Sequence, residues 1–250
     1  MVSQNESLQI AWFSCGVTSA VMSYLALKEN PNTQVVFIAT GSEHPDSLRF
    51  LHDCEKWLGV DILILRSPAF SNHWEVCEKY RYLNGAWGAR CTLELKKAVR
   101  IGYESEVGCW DSQLFGFDSS ERVRALRFLE QNPKCKAKFP LILEGLTKAD
   151  CMQILLDNNI ELPVMYRQGF HNNNCVGCVK GGKGYWALIR KCYPDVFAKM
   201  VSLEEKIQHT CIKDFALKDL PLDYPCTHPI VPSCNLWCDI EFYKPSDELK

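Results

Sequence analysis

A chain of 250 residues, 47% hydrophobic and 23% charged, can bury a sizeable core as one large domain or a domain with a smaller appendage, which excludes a disordered or fibrous segment. Its formal charge of -2 provides no global basic field for nucleic acid, leaving only a local basic groove open. No run approaches ~18 consecutive apolar residues, so no membrane span is expected. The opening Met1–Glu6 is polar rather than leader-like, and the 14 cysteines therefore point to a reducing cytoplasm, where clustered thiols bind metal or do redox work.

In chain order, Leu8–Phe13 is a short apolar strand, Ser14-Cys15-Gly16 a tight turn, and residues 19–28 a helix with Ala20, Val21, Tyr24 and Leu25 on one face. Asn30-Pro31-Asn32 stops it. Residues 34–40 form a second buried strand. Residues 45–58 form a helix that Gly59 terminates, and residues 61–65 form a third strand. Strand and helix alternating at this pace predict βαβ units and a doubly wound parallel sheet of Rossmann-like type. Helices follow over 74–82 and 93–103, with a strand over 112–117. Arg122 and Arg127 read as a solvated helix face. Beyond this the chain is helical over 147–158, 185–191 and 194–209. A polar, cysteine-bearing loop spans His171–Cys178, and an irregular tail rich in proline and cysteine starts near Leu220. We expect a nucleotide-binding α/β domain over 1–140 and a helical, cysteine-rich region over 141–250.

The turn Ser14-Cys15-Gly16-Val17-Thr18-Ser19 lies between a strand and a helix. Such a turn presents free backbone N–H groups and the positive end of the helix to an anion. Gly16 permits close backbone approach, and Ser14, Thr18 and Ser19 supply hydroxyls. An ordinary βα turn with a serine cap has the same local pattern. Cys15, at a helix start, is a candidate nucleophile because that position lowers a thiol's pKa. Glu43 and His44 either contact a ribose or metal or cap the helix that Pro45 opens. Arg124 is suited to clamp phosphate with its planar fork, and Lys96 to neutralise phosphate charge. Lys180 and Lys183 flank a glycine-rich turn that either holds an anion or is merely solvated.

Cys175-x-x-Cys178 presents two thiolates from one turn, and Cys91, at a predicted helix start, is a third. Three soft thiolates suit a [4Fe-4S] cluster with one open iron, or a zinc site completed elsewhere. Cys226-x-His228 and Cys234-x-x-x-Cys238 form a second metal-binding candidate, or are incidental tail residues.

Several of these segments, in this order, resemble the phosphoadenosine-phosphosulfate (PAPS) reductase family of PP-loop enzymes, with the nucleotide-binding fold of the HUP type. The first turn resembles the PP-loop S-G-G-x-D-S, keeping Ser14, Gly16 and Ser19 and departing at Cys15 and Thr18. Thr40–Pro45 resembles the loop after the second strand, and Arg90–Lys96 the C-T-x-x-x-K element. Gly116–Arg124 resembles the turn G-x-R-x-x-E-x-x-R, with Glu121 and Arg124 matching and Asp118 where an Arg is common. Asn174–Cys178 resembles the later cysteine pair. The resemblance spans residues 8 to about 190. It implies an adenine nucleotide, ATP or a PAPS-like sulfonucleotide, bound at Ser14, Gly16, Thr18, Ser19, Glu43, Gly116, Glu121 and Arg124. It further implies sulfur chemistry involving Cys15, Cys91 and Lys96, and an iron–sulfur cluster on Cys91, Cys175 and Cys178. The E-C-G-x-H motif of assimilatory reductases is absent from the sequence. A reductant or sulfur donor is the expected partner. Nucleic acid as the sulfur acceptor, a homodimer, and a sensor or structural zinc protein on the same fold remain open alternatives.

Overall fold

The computed structural model describes residues 8–85 and 88–227. Five strands form one parallel sheet in the order β3-β2-β1-β4-β5, with β1 Gln9–Phe13 at its centre, β2 Thr33–Ala39, β3 Leu63–Arg66, β4 Ser112–Phe115 and β5 Ala137–Lys138. Trp12 is in register with Val36 on one side and Phe115 on the other. β1 and β2 are near-continuous apolar runs because a parallel sheet flanked by helices buries both faces of its central strands.

Helix α1 Val17–Glu29 connects β1 to β2, and α2 Asp46–Leu58 connects β2 to β3. Gly59 ends α2 in the left-handed conformation, as its position in the sequence predicts. α1 starts two residues before the expected helix and is buried on most of its surface (Val17, Ala20, Val21, Met22, Ala26), since it packs against the sheet and a later helix alike. After β3 come α3 His73–Tyr80, the short turn α4 Arg90–Thr92, a π-helical turn over Leu93–Lys97, and α5 Ala98–Val107. The sequence shows this last stretch only as one helix over 93–103. The extra residue per turn at Leu93–Lys97 is the kind of irregularity that often accompanies functional sites. α6 Arg122–Gln131 carries Arg122 and Arg127 on a helix, as expected, and leads to β5, which at two residues leaves no alternating pattern to read.

The second half contains α7 Pro140–Leu143, α8 Lys148–Asp157, α9 Val164–Arg167, α10 Lys183–Cys192 and α11 Pro194–Ile207. The expected boundary at residue 140 cuts through the first hydrophobic core. Phe13, Val21, Phe37, Phe50 and Leu114 pack in one cluster with Leu141, Met152, Leu155 and Tyr166. Arg49 reinforces that continuity, pairing with Asp46 at 2.6 Å and Asp53 at 2.9 Å while donating to the carbonyls of Glu161 and Leu162. A second core gathers Cys77, Leu83, Met165, Phe170, Trp186, Leu188 and Met200, so α3, α10 and α11 share one interior. No helix among the described residues is long and apolar enough to cross a membrane.

Candidate functional site

The chain winds outward in both directions from the β1–β4 pair, and ligands in open α/β sheets bind beyond the carboxyl ends of the strands at such a reversal. A cleft of about 790 Å³ opens there, within the roughly 300–1,000 Å³ of small-molecule sites. Ser14, Thr18 and Ser19 line it from the loop after β1, and Gly116, Glu121 and Arg124 from the loop after β4. Six of the predicted nucleotide-site residues thus meet in one cavity, with Gly16 as the cap of α1 beside them.

Within the loop, the Ser19 hydroxyl donates to Gly16 O at 2.8 Å and accepts from the Ser14 N–H at 3.0 Å. Ser19 therefore staples the turn, while Ser14 and Thr18 stay accessible to a ligand. α1 has no side-chain cap, and the N–H groups of a helix's first turn have no intrahelical partner. Gly116 lets β4 approach that turn: a Cβ there would stand 2.8 Å from Ser19 N and 3.0 Å from Thr18 C.

The left-handed residue of this loop is Cys15 (φ 56), not Gly16. The PP-loop pattern has glycine at that position, and only glycine adopts the conformation without strain. Asn173 Nδ2 holds the Cys15 carbonyl at 2.7 Å, and the side chain turns into the first core. Burial, reinforced by Glu43 and Cys54, pushes the thiol far above its ordinary range. Cys15 thus sits as a core thiol, turned away from the cleft where an attacking thiol would have to be. The advantage of the helix end acts only on a thiol that points at it.

Glu43 is also diverted from its expected role. Its carboxylate accepts from Thr40 N at 2.8 Å, Thr40 Oγ1 at 2.6 Å and Ser42 N at 3.2 Å, closing its own loop rather than lining the cleft. His44 Nδ1 accepts from Asp46 N at 3.1 Å, one residue ahead of Pro45, the cap of α2. Asp118, at the position where the family pattern has Arg, accepts from Ser120 N at 2.9 Å in a capping box that Glu121 completes. Arg124 is ion-paired with Glu121 and lies 4.3 Å over the Phe117 ring.

The cysteine turn sits beside the same cleft. Asn172 and Asn174 line the cavity, and Cys175 is the next residue. Cys175 Sγ lies 3.2 Å from Thr40 Oγ1, and Val176 N donates to Ser42 O at 2.8 Å, so the turn is fastened to the loop after β2. Tyr185 organises it: its hydroxyl accepts from Gly177 N at 3.0 Å and Cys178 N at 2.9 Å and donates to Cys175 O at 2.9 Å. Gly177 (φ 79) has no room for a side chain, since a Cβ would lie 2.7 Å from Val196 and 3.2 Å from the Trp74 ring. Underneath, His73 is buried, its Nδ1 bonded to Ser42 Oγ at 2.7 Å.

Cys91 sits on α4, half-buried. The neighbouring Cys77 thiol holds its pKa below the ordinary range against the opposing effect of burial, and Lys180 and Lys96 add to the lowering. Burial pushes Cys175 up to about 11 and also raises Cys178, with Lys96 opposing in both cases. Lys96 thus acts on the thiols and does not line the nucleotide cleft. Lys183 lies 3.7 Å over the Phe215 ring. The three thiols suit an iron–sulfur cluster in kind, and two lysines would offset their charge. As placed they do not converge: among the described residues no group of three His, Cys, Asp or Glu side chains could share a metal ion. Cys175 is turned to Thr40 and Cys91 to Cys77. Cys226 packs on the second core, while His228, Cys234 and Cys238 lie outside the described residues.

Sequence reasoning missed Lys148, Asn172 and Asn174 in the cleft, and Tyr185 and His73 beneath the cysteine turn. For Lys148 the only local signal was the Thr147-Lys148-Ala149-Asp150 capping box, which predicts a helix start and nothing about a ligand.

Two curated relatives are the uncharacterised proteins MJ0973 and MJ0066 of Methanocaldococcus jannaschii. The first is 25% identical over 201 residues (76% of this chain, 46% of the relative) and the second 26% identical over 196 residues (75% and 39%). This chain spans less than half the length of either. Similar solved structures include the PAPS reductase of Candida auris in its phosphate complex (TM-score 0.46, 12% identity, covering 66% of this chain and 78% of that one). Another is the U34-tRNA thiolase NcsA of Methanococcus maripaludis with its [4Fe-4S] cluster (TM-score 0.46, 15% identity, covering 82% and 69%). The model of the phosphoadenosine phosphosulfate reductase domain matches residues 9–181, from the first residue of β1 to just past the cysteine turn, and so takes in both the cleft and the thiols: the chain belongs to that family.

Proposed function

We propose that this protein binds an adenine nucleotide in the β1–β4 cleft and couples it to sulfur chemistry at the adjoining thiols. The observation that carries this reading is the continuity of one loop: Asn172 and Asn174 form part of the cleft wall, and Cys175 follows directly. A nucleotide bound at the start of α1 would therefore have the cysteine turn beside it. The phosphates would be received by the N–H groups of the loop and by the Ser14 and Thr18 hydroxyls.

Two reactions suit this arrangement. With ATP, an acceptor oxygen attacks the α-phosphorus and pyrophosphate leaves. A sulfur nucleophile then displaces the adenylate as AMP. With a PAPS-like sulfonucleotide, a thiolate attacks the sulfonyl sulfur and the nucleotide leaves as its phosphate. A second thiol then displaces sulfite and leaves a disulfide. Cys91 is the thiol best suited to be a thiolate at neutral pH, with Lys96 and Lys180 to steady its charge.

Where Cys91 is not the attacking thiolate, it would instead join Cys175 and Cys178 as ligands of a [4Fe-4S] cluster, which requires Cys175 to turn away from Thr40 and Cys91 from Cys77. Held there, such a group would supply a redox centre or an iron able to hold sulfur. Anaerobic purification with iron, zinc and acid-labile sulfide counted per chain tests the assignment. Near four irons and four sulfides, falling sharply in each Cys→Ala variant, is the expected result. Stoichiometric zinc without sulfide would replace the cluster with a structural zinc site. For the nucleotide chemistry, the expected product is pyrophosphate from ATP or sulfite from the sulfonucleotide. Binding of both without turnover would make the protein a sensor. Turnover that appears only when tRNA or DNA is added would identify nucleic acid as the sulfur acceptor.

A further inference from the structure

We infer that Lys148 is the cation that receives the phosphates of the bound nucleotide, an inference that rests on the nucleotide reading above. Among the described residues, two cations, Lys148 and Arg124, and two carboxylates, Asp118 and Glu121, line the cleft. Arg124 is already committed, paired with Glu121 and stacked on Phe117. Asp118 is committed too, accepting from Ser120 N at 2.9 Å and Ser120 Oγ at 2.5 Å. Lys148 is committed differently: its Nζ donates to His171 O at 3.1 Å and to Asn172 Oδ1 at 2.7 Å, both neutral acceptors.

An ammonium has three donors, so one proton and most of the charge remain for a ligand. The side chain is partly withdrawn from water. Burial pulls its pKa down, while Asp118 and Glu121 oppose that shift from a distance. An incompletely compensated, partly desolvated ammonium gains from an incoming anion more than an exposed lysine would.

The backbone is prepared for this role. Lys148 is the first residue of α8, directly after Thr147, whose hydroxyl donates to Asp150 at 2.6 Å and accepts from Asp150 N at 3.2 Å. The capping box fixes the Lys148 Cα, and the bonds to residues 171 and 172 fix its head. α8 packs on α1, the helix whose start holds the phosphate loop, so both lie on one cavity without either having to move. The lysine also clasps the loop that leads to Cys175.

The test is titration calorimetry of wild type and Lys148→Met with Mg-ATP, AMP and adenosine. A charge-assisted hydrogen bond is worth roughly 1.5–3 kcal/mol, about ten- to hundredfold in affinity. We expect ATP to weaken by that factor in Lys148→Met, AMP by less, and adenosine to stay within about twofold. Unchanged ATP affinity overturns the inference, as does an equal loss for adenosine, which would show a purely structural clasp. Should Lys148→Met fail to fold, amine acetylation of the wild type, read by mass spectrometry, decides. ATP should slow modification of Lys148 and adenosine should not; equal labelling overturns the assignment. A wild type that binds none of the three ligands, nor adenosine 3',5'-bisphosphate, refutes the nucleotide reading itself, whereas normal wild-type binding unaltered in Lys148→Met removes only Lys148.

Discussion

The nucleotide cleft and the cysteine turn are neighbours built on opposite principles. The cleft is a product of backbone: one strand, one turn and one helix start, with the loop after β4 brought against them through a single glycine. The cysteine turn is a product of side chains from distant segments, with Tyr185 bonded inside it, Ser42 and Thr40 holding one edge, and Trp74 and His73 below. A backbone-built site fails when the chain is forced apart, and among its side chains only one that meets the ligand directly, such as Lys148, should matter to binding. A site assembled from side chains should respond to titration and to conservative substitution. Damage to one should therefore leave a signature that damage to the other does not.

The largest effect is expected at Gly116. A Cβ there already falls within 3.0 Å of Ser19 N, Ser19 Cα and Thr18 C, all backbone atoms that cannot swing away. Gly116→Val must separate β4 from the start of α1, at a cost of about 2–3 kcal/mol by the usual scale of overpacking. If the nucleotide binds as proposed, its affinity should fall by at least about a hundredfold, because the N–H groups that would receive phosphate move with the helix. Urea denaturation and calorimetry on the same protein check both parts. Normal affinity in a destabilised Gly116→Val would mean that the cleft does not depend on this backbone contact.

Acid should find the other region. The His73 imidazole is buried against Ser42 and the turn at Gly177, and burial lowers its pKa from 6.5 to about 4, with the Gly177 backbone opposing and Lys199 adding to the lowering. Its Nε2 closes no hydrogen bond of normal geometry. The folded state therefore keeps His73 neutral where the unfolded chain would protonate it. The sign is that of a depressed base: the stabilisation is complete above about pH 6.5 and is lost as pH falls toward 4, by roughly 3 kcal/mol in all. Urea midpoints across that window should fall more steeply for wild type than for His73→Gln, and exchange of the Gly177 and Cys178 amides should rise first. Parallel pH profiles for the two proteins would show that His73 does not govern the acid limit.

This contrast also explains what could be read from the sequence. The phosphate loop is contained in one short window, and strand, turn and hydroxyls are all visible in Leu8–Ser19. Alternation of apolar strands and helices predicts the parallel sheet because burial on both faces writes that pattern directly into composition. The nearness of Cys175 to the cleft required the fold, since the loop after β2 holds it and nothing near Thr40 announces a thiol partner. Glu43 shows the limit of reading a carboxylate near a helix start: local N–H groups satisfied it before any ligand could. Lys148 and Tyr185 act through contacts with residues 171, 172, 175, 177 and 178, and a side chain's reach is invisible in sequence spacing alone.

The smallest effect, and the finest test of the comparison, lies at Cys15, the one residue of the cleft loop where side chain and backbone disagree. Its backbone is left-handed, which costs a residue with a Cβ roughly 1 kcal/mol. Its side chain is fully buried among the apolar residues of the first core, which gains something of the same size. Cys15→Ala keeps the strain and loses the sulfur, so it should destabilise by about 1–2 kcal/mol. Cys15→Gly loses the sulfur and relieves the strain, and should be the milder change by about 0.5–1 kcal/mol. Because the thiol is buried and held protonated, both variants should bind nucleotide within about twofold of wild type, and iodoacetamide should leave Cys15 unlabelled in the folded protein. If glycine proves more damaging than alanine, packing and not backbone strain rules this position. If either variant loses turnover while keeping its fold and nucleotide affinity, the sulfur must leave the core during the reaction, and the division between a backbone-built cleft and a thiol-bearing turn would have to be redrawn through this loop.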